Sequence, residues 1–480
     1  MKNEDGRDNS SNYDSRNDSV FGGAISRRKA ISTAGKVAIG VVVAAAIGGG
    51  AYAAYDYLNT SSSPNITEVK LGADLPLTGS LSGFGTEANA AFNMAVDDVN
   101  SAGGLKIGNK SYPVKLIVYD DTSSTSVATS NVQRLAQVDQ VHAMLSVISF
   151  LTLAAAASAE RYTIPHVGGI GSAAAITQHG YKYTFELYPS APNQVAYNQE
   201  ILATMTGANQ VKTTAILYDT NDVGIEWANG WRNTAAALGW QVVSDQQFSP
   251  NQSDYTPYVL KLAQANPDVL AICNQFAPDA ITIIQNMKQQ NFRPKGFMVG
   301  PGSDNSWPTA LGKDGDYVLL PGNAYAATEN STLNTNLVNK YNSIRSNYKA
   351  GPPVNVGYDY TQAMVALQGI SNAGSVDPVK VRNAIASINL TDTVLGTVKF
   401  DSTGRAILDL LMVQWQNETQ VIVYPSPQAT SQLWYPAPTW SQGEVPTPVT
   451  LPPNITLSTI TTSVAAPSSS STTSAAASSS

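Results

Sequence analysis

The chain has 480 residues, of which 43% are hydrophobic and 13% are charged, so it is long enough for two core-forming lobes with additional tails. A net charge of −7, with no basic cluster beyond the N-terminal region, excludes nucleic acid as an expected partner. Cys273, the single cysteine of the sequence, lies in an apolar run and is predicted to be a buried small hydrophobe. One cysteine allows neither an intrachain disulfide nor a cysteine-based metal site.

The N-terminal region divides into three segments by composition. Residues 1–25 are polar and rich in Asn, Asp and Ser, which predicts a disordered N-terminus. Residues 26–54 begin with paired arginines ahead of a Gly/Ala-rich apolar run, an order that resembles a twin-arginine export signal. Either a peptidase cleaves near Ala53 and releases the protein, or residues 37–54 stay in the membrane as an anchor. Residues 55–65 form a linker, and in both cases the rest of the chain is expected outside the cytoplasm.

Residues 66–424 alternate short apolar runs with longer helical patterns, which predicts βαβ units and parallel sheets. The predicted strands are Val69–Ala73, Val114–Tyr119, Ala143–Ile148, Ile164–Val167, Ala215–Tyr218, Val269–Cys273 and Gly296–Val299. The predicted helices are Glu87–Ser101, Ser126–Val138, Thr152–Glu160, Val195–Met205, Ile225–Leu238, Thr256–Ala265, Asp279–Gln290, Leu333–Tyr348, Tyr358–Asn372 and Pro378–Ile388. Elements of the same kind follow one another in both halves, so we expect two similar α/β lobes.

The most informative stretch runs from Met144 to Ser172: strand, polar corner, helix, strand and glycine-rich corner. Ligands of open parallel sheets bind beyond the carboxyl ends of the strands, and Ser149 and Ser172 stand at two such ends. The free amides at the start of the helix after Ser149 favour an anionic group. The stretch therefore predicts a small-molecule site for a ligand with a carboxylate-like group. Alternatively, Ser149 caps that helix and Ser172 is an ordinary loop residue.

After Tyr424 the composition changes to Pro, Ser and Thr, which predicts an extended, O-glycosylated stalk over residues 425–480. Trp434, Tyr435 and Trp440 are unusual in such a segment, and docking of these residues on the globular body is the alternative. Asn-x-Ser/Thr sequons along the chain fit an exported glycoprotein, although a chain this rich in Asn, Ser and Thr also produces them by chance.

A series of short motifs keeps its order and spacing through residues 66–424. The motifs are Gly72-Ala-Asp-Leu-Pro-Leu-Thr-Gly79, Gly83-Phe84-Gly85, Asn100-Ser-Ala-Gly103-Gly104, Val118-Tyr-Asp120-Asp121, Tyr218-Asp219 with Gly224, Phe297-Met-Val-Gly300, Asp392-Thr-Val-Leu-Gly396, and Phe400-Asp401 with Gly404. Together they resemble the type I periplasmic binding proteins, the branched-chain amino-acid (Leu/Ile/Val) receptors of ABC importers. Each motif is weak by itself, and their common order carries the resemblance.

The resemblance implies two Rossmann-like α/β lobes with parallel sheets, joined by three hinge crossings near Ser190, Gly322 and Arg405. The expected division is 66–190 with 323–405 as lobe I and 191–322 with 406–424 as lobe II. In such a fold the ligand is enclosed between the lobes by a hinge motion that selects a closed state.

The resemblance also assigns binding roles to individual residues. In this family a serine after the third strand and a threonine after the fourth hold the ligand carboxylate, and these positions fall on Ser149 and Ser172. Gly169 lies near the main-chain contact. Phe84 lies where an aromatic residue closes over the ligand, with a place in the lobe core as the alternative.

Three further candidates lie in the second lobe. The family acid that meets the ligand ammonium follows the strand that ends at Gly300, and Asp304 is the nearest acid here, slightly displaced from the family position. Its Pro-Gly-Ser-Asp context is equally typical of a turn residue. Asp219 and Phe276 stand at other strand ends of the second lobe and are expected to line the cleft.

The sequence gives no positive indication of catalysis. Asp120 and Asp121 follow a predicted strand and could be paired catalytic carboxylates, but the resemblance implies that they cap the next helix. The three histidines match no zinc-binding spacing, and no nucleophile elbow, phosphate-binding loop or Cys-His pair is present. We therefore expect neither an enzyme, nor a metal site, nor a cofactor.

The resemblance implies an extracytoplasmic solute-binding protein that delivers a small amino acid, branched-chain or related, to the permease subunits of an ABC importer. A monomer is expected. One alternative is a ligand-sensing receptor domain for amides, urea or amino acids, which would normally carry a signalling domain or a second membrane helix. The other is a non-transport surface glycoprotein, which the Ser/Thr-rich tail favours and which would not need a cleft lined by Ser149, Ser172 and Asp304.

Overall fold

The computed structural model describes residues 65–300, 306–440, 447–455 and Leu457. The predicted N-terminal segments, Asp304 and the last part of the predicted stalk lie outside the described residues. None of the helices in the described ranges combines the length and the apolar composition that a membrane crossing requires.

The strands form two large sheets, one three-stranded sheet and two small hairpins. Their bounds are β1 Val69–Leu75, β2 Leu105–Ile107, β3 Lys110–Tyr112, β4 Val114–Asp120, β5 Ala143–Ser146, β6 His166–Gly168, β7 Thr184–Glu186, β8 Thr213–Asp219, β9 Gln241–Phe248, β10 Val269–Cys273, β11 Gly296–Val299, β12 Val318–Leu319, β13 Leu390–Thr393, β14 Gly396–Phe400, β15 Ala406–Ile407, β16 Met412–Gln416, β17 Thr419–Tyr424, β18 Leu433–Trp434 and β19 Pro448–Val449.

The α-helices lie between these strands and cover the two large sheets. Their bounds are α1 Ser82–Ser101, α2 Thr125–Arg134, α3 Ser149–Tyr162, α4 Ala175–Gln178, α5 Ala191–Leu202, α6 Asp222–Ala237, α7 Thr256–Ala265, α8 Ala277–Gln289, α9 Trp307–Leu311, α10 Thr332–Ile344, α11 Val356–Ala373 and α12 Pro378–Ala386. A π-helical turn, Leu135–Asp139, continues α2.

The first large sheet has the strand order β4-β1-β5-β6-β7, and all of its pairs are parallel. Helices α1 and α11 belong to the core on one face, while α2 and α3 contribute to a second buried cluster with Met144. Burial on both faces explains why β5 reads as a nearly continuous apolar run. Because the strands are parallel, the corners after β1, β5 and β6 lie along one edge. We call this sheet and its helices lobe I.

The second large sheet has the order β17-β16-β12-β11-β10-β8-β9. The pairs from β9 to β12 are parallel, and β16 and β17 add an antiparallel edge. Cys273, on the central strand β10, is fully buried, as predicted. We call this sheet and its helices lobe II.

The chain passes between the two sheets three times, and the crossing segments lie side by side. Glu186 and Arg405 form a parallel bridge, and Asn323 and Leu411 form an antiparallel bridge. The Gly322 amide donates to the Gln194 carbonyl at 3.0 Å. The predicted fold class, two α/β lobes with three crossings, is therefore confirmed.

The start of α3 differs from the sequence prediction. The predicted helix began at Thr152, whereas α3 begins at Ser149. Ile148, the residue before it, has φ +73°, which is rare for a β-branched side chain. The apolar run through Ile148 suggested a longer strand, but this sharp corner ends β5 at Ser146.

The segment after Tyr424 also differs from the predicted stalk. Residues 425–440 pack on lobe II, where Tyr435 is 1% exposed, and β18 pairs with β19. The Trp440 indole donates to the Phe292 carbonyl at 2.7 Å, and its ring lies 4.2 Å from the Arg293 guanidinium. Burial of these aromatic side chains is the physical reason why this part of the Pro-rich segment docks.

Candidate ligand-binding cleft

Ser149 stands at the corner between β5 and α3. Its hydroxyl accepts the Ala173 amide at 3.2 Å, and α3 has no side-chain cap. The alternative in which Ser149 caps its own helix is therefore wrong. The first amides of α3 lack carbonyl partners within the helix, and they carry the positive end of the helix dipole. The backbone at Ile148 stores strain, as is common at ligand sites.

The structure brings Ser172 to the same corner. The two hydroxyl oxygens of Ser149 and Ser172 are 3.4 Å apart, and each residue is 5% exposed. Among the described residues, the Ser172 amide has no hydrogen-bond acceptor. Two hydroxyls thus lie together at the N-terminus of α3, at the edge of lobe I, an arrangement suited to a carboxylate.

The glycines at the end of β6 and just after it permit close packing beneath this corner. A Cβ atom on Gly168 would lie 2.2 Å from Oε2 of Glu186, and one on Gly169 would lie 2.1 Å from Oε1 of Gln362. The Gly169 amide donates to the Ser146 carbonyl at 3.3 Å. The structure therefore gives Gly169 a packing and backbone role beside the serines.

The buried side chain of Glu186 supports the same corner from within lobe I. Glu186 Oε1 accepts the amides of Gly171 and Tyr188, at 3.2 and 2.9 Å. Burial raises the pKa of Glu186 to about 7, although the nearby Arg405 guanidinium favours the ionised form. Sequence reasoning placed Arg405 at a crossing but gave it no role at the site.

Phe84 and Phe276 come from different lobes and pack against the same core. Phe84, in the first turn of α1, is half-buried against the main core cluster of lobe I. Phe276, immediately before α8 of lobe II, packs against that cluster as well. Phe276 therefore contacts both lobes. Phe84 is partly core, and its contact with the ligand stays a prediction.

Asp219 is fully buried and is engaged within lobe II. Its oxygens accept the amide and the side chain of Asn221, at 3.0 and 2.8 Å, and the amide of Gln275, at 2.9 Å. These bonds connect the corners after β8 and β10. Burial raises the pKa of Asp219. Asp304, the predicted partner of a ligand ammonium, lies outside the described residues.

Glu226 is a cleft residue that the sequence reasoning missed. It lies on α6 of lobe II, and its carboxylate accepts the Ala174 amide, two residues after Ser172, at 2.8 Å. Burial raises the pKa of Glu226. No motif distinguishes this glutamate from a solvent-facing helix residue, because its partner is 52 positions away.

Asp120 and Asp121 accept hydrogen bonds that stabilise the loops beside α1. Asp120 accepts the Thr78 amide and hydroxyl, at 3.1 and 2.7 Å, and Asp121 accepts the Ser123 amide at 2.7 Å. Helix α2 begins later, at Thr125, without a side-chain cap. The implied capping role is therefore wrong: the two carboxylates stabilise the loop that precedes the helix.

The histidine at this edge of lobe I has a structural role. His166, on β6, is fully buried, and its Nε2 lies 2.8 Å from the Ser146 hydroxyl. Burial lowers its pKa to about 3, so the ring is neutral at ordinary pH. Across the described ranges, no three His, Cys, Asp or Glu side chains form a cluster that could hold a metal ion.

Comparison with known proteins agrees with this fold. The family model described as "Periplasmic binding protein" matches residues 68–420. A "Leu/Ile/Val-binding protein homolog 8" of Brucella suis is 26% identical over 392 residues, which cover 78% of this chain and 95% of that protein.

Two solved structures illustrate the shared fold. The branched-chain amino acid transporter substrate binding protein LivJ from Streptococcus pneumoniae, in complex with isoleucine, gives a TM-score of 0.65 at 18% identity over 75% of this chain and all of that one. A solute binding protein of an ABC transporter from R. palustris, in complex with benzoate, gives 0.61 at 18% identity over 74% and 95%.

The family match spans the first sheet, the second sheet up to the start of its edge strand β17, all three crossings and the corners that carry Ser149 and Ser172. Solute binding, without catalysis, is the activity of that family. The chain described here belongs to the periplasmic binding protein family.

Proposed function

We propose that this protein is the extracytoplasmic substrate-binding component of an ABC importer and that it binds a small amino acid, branched-chain or related, between its lobes. The observation that carries the proposal is the pair of hydroxyls of Ser149 and Ser172, 3.4 Å apart at the N-terminus of α3. Hydroxyl donors and a helix N-terminus together recognise a carboxylate.

The burial of the two serines supports a hinge mechanism. A ligand reaches residues that are only 5% exposed after the lobes part, and the lobes then close over it. Phe276 of lobe II and Phe84 of lobe I pack against the same core cluster, and in the proposed complex both cover the apolar part of the ligand. Gly169 shapes the floor of the site.

The polar groups of lobe II decide between two ligand classes. An α-amino acid needs an acceptor for its ammonium, and Asp304 is the proposed one. Asp219 is engaged by Asn221 and Gln275, so it supports the cleft from behind. The Brucella relative is named for leucine, isoleucine and valine, and the R. palustris structure contains benzoate. A carboxylate without an ammonium is therefore the second class.

Location and partners follow from the same proposal. The segment 26–54 directs export, and residues 37–54 either anchor the protein at the outer face of the cell membrane or are removed near Ala53. The permease subunits of the importer are the proposed protein partner, and the binding protein acts as a monomer.

Calorimetric titration of the purified protein with leucine, isoleucine, valine, benzoate, a short amide and urea tests the proposal. Micromolar binding of a branched-chain amino acid that Asp304→Ala weakens strongly supports the amino-acid class. Binding of benzoate that survives Asp304→Ala assigns the protein to the second class. If the folded protein binds none of these compounds, the transport function is refuted in favour of a surface glycoprotein.

A further inference from the structure

We propose that Arg405 and Glu226 are positioning residues: together they hold the Ser172 loop, defined as Gly171–Ala174, in its binding conformation and link it to the hinge and to lobe II. The role assigned to them rests on the proposed function. The hydrogen bonds themselves can be tested without a ligand.

Arg405 holds the Ser172 loop from the hinge. Its guanidinium donates to the carbonyls of Gly171 at 3.0 Å and Ala173 at 2.6 Å, on either side of Ser172. It also donates to the Tyr188 carbonyl at 2.6 Å and to the Thr177 hydroxyl at 3.3 Å. The guanidinium of an arginine presents five N–H donors in a fixed planar fork, which allows it to reach several carbonyls at once. Arg405 is 6% exposed and lies on the third crossing, where its backbone pairs with Glu186.

Glu186 gives the Ser172 loop a further hydrogen bond from lobe I. It accepts the Gly171 amide while Arg405 donates to the Gly171 carbonyl, so both backbone groups of Gly171 are fixed. A Cβ atom on Gly171 would lie 2.6 Å from Oε2 of Glu186, which explains the glycine there. The Ser172 carbonyl accepts the Ala191 amide at 2.8 Å, from the first residue of α5 at the first crossing.

Glu226 contacts the loop from lobe II. Its carboxylate accepts the Ala174 amide at 2.8 Å, and its charge lies close enough to Arg405 to influence that guanidinium. Ala173 and Ile176 are buried in the same core cluster as Trp227, the neighbour of Glu226 on α6. One loop is therefore fixed to the hinge through Arg405 and to lobe II through Glu226.

This arrangement couples lobe position to the ligand site. The Ser172 conformation that presents its hydroxyl to Ser149 is the one in which Glu226 meets the Ala174 amide. Ligand binding and the Glu226 contact therefore favour the same state, and each strengthens the other. Neither Arg405 nor Glu226 needs to touch the ligand.

Amide hydrogen exchange of the unliganded protein provides the first test. We expect Glu226→Ala to accelerate exchange at Ala173 and Ala174 at least tenfold while the strands of both sheets keep their protection. Glu226→Gln retains an acceptor oxygen and restores most of the protection. Glu160→Ala is the matched control, since Glu160 also accepts two backbone amides, of Lys182 and Tyr183 at 2.8 and 3.0 Å, away from the Ser172 loop.

Arg405→Lys provides the second test, with Arg293→Lys as the control. Arg293 is a half-buried arginine of lobe II that donates to the Asp316 carbonyl at 2.7 Å. We expect Arg405→Lys to deprotect the Ser172 loop selectively, and Arg293→Lys to leave it unchanged. Unchanged loop exchange in both Glu226→Ala and Arg405→Lys would overturn the proposal.

Binding measurements complete the test. With whichever compound of the titration panel binds, we expect Glu226→Ala to weaken affinity at least fivefold and Glu160→Ala to leave it unchanged; equal affinities would overturn the coupling. If the wild-type protein binds none of the panel, the transport proposal fails, while the exchange data still decide whether Arg405 and Glu226 hold the loop.

Discussion

Replacing Ser149 by alanine is the most direct perturbation of the proposed site, because the hydroxyl has two functions. In the unliganded protein it accepts the Ala173 amide at 3.2 Å, and in the proposed complex it donates to the ligand carboxylate. Alanine removes both interactions and leaves α3 otherwise intact, since Ser149 does not cap that helix.

The two losses affect different free energies, one of folding and one of binding. Leaving the Ala173 amide buried without an acceptor costs about 1–3 kcal/mol of folding free energy. A hydrogen bond to a charged carboxylate contributes about 1.5–3 kcal/mol to binding. At about 1.4 kcal/mol per tenfold change, the ligand Kd should rise by about 10- to 150-fold.

Two assays separate these effects. Denaturant unfolding measures the folding term, and calorimetric titration under conditions in which the variant is fully folded measures the binding term. Ser158→Ala, a buried serine near the other end of α3, is the matched control and should leave Kd unchanged. An unchanged Kd for folded Ser149→Ala would refute the assignment of this hydroxyl to the ligand.

Three further predictions concern the body of the protein. The buried Tyr435 hydroxyl has no hydrogen-bond partner among the described residues, so Tyr435→Phe should leave the unfolding free energy unchanged or raise it by about 1 kcal/mol, whereas Tyr435→Ala should cost about 3–5 kcal/mol. Denaturant unfolding measures both variants. A small decrease in unfolding free energy for Tyr435→Ala would mean that the segment after Tyr424 does not dock on lobe II. Gly168→Ala places a Cβ atom 2.2 Å from Glu186 and should cost about 1–3 kcal/mol, and unaltered stability would contradict the packing below the Ser172 loop. Burial raises the pKa of Glu87 and Glu186 to about 7, so the folded state keeps protons that the unfolded chain releases above pH 4.5, and stability should be higher at pH 5 than at pH 8. Burial lowers the pKa of His166 to about 3, so this one residue favours stability at higher pH, against the two carboxyls. A stability that rises from pH 5 to pH 8 would contradict the assignment of buried, protonated carboxyls.

The α/β lobes could be predicted from local sequence patterns, and so could two neighbouring residues of the candidate site. Apolar runs such as β5 and β10 are buried on both faces, so composition alone identifies them as strands of parallel sheets. Parallel strands end at a common edge, which is why Ser149 and Ser172 could be predicted to meet, 23 residues apart. The three crossings were implied by the family resemblance that the short motifs carry together.

The contacts that hold the Ser172 loop at this edge of lobe I are visible only in the tertiary structure. Arg405 meets the Ala173 carbonyl across 232 positions, and Glu226 meets the Ala174 amide from the other lobe; neither pairing follows a local period or a turn rule. The same holds for the segment after Tyr424, whose Pro-rich composition predicted a stalk although Tyr435 and Trp440 find a surface on lobe II. Local patterns report which face of an element is apolar and where the chain turns. Which buried polar groups satisfy one another depends on how distant elements are placed, because a hydrogen bond requires a partner at about 3 Å whatever its position in the sequence.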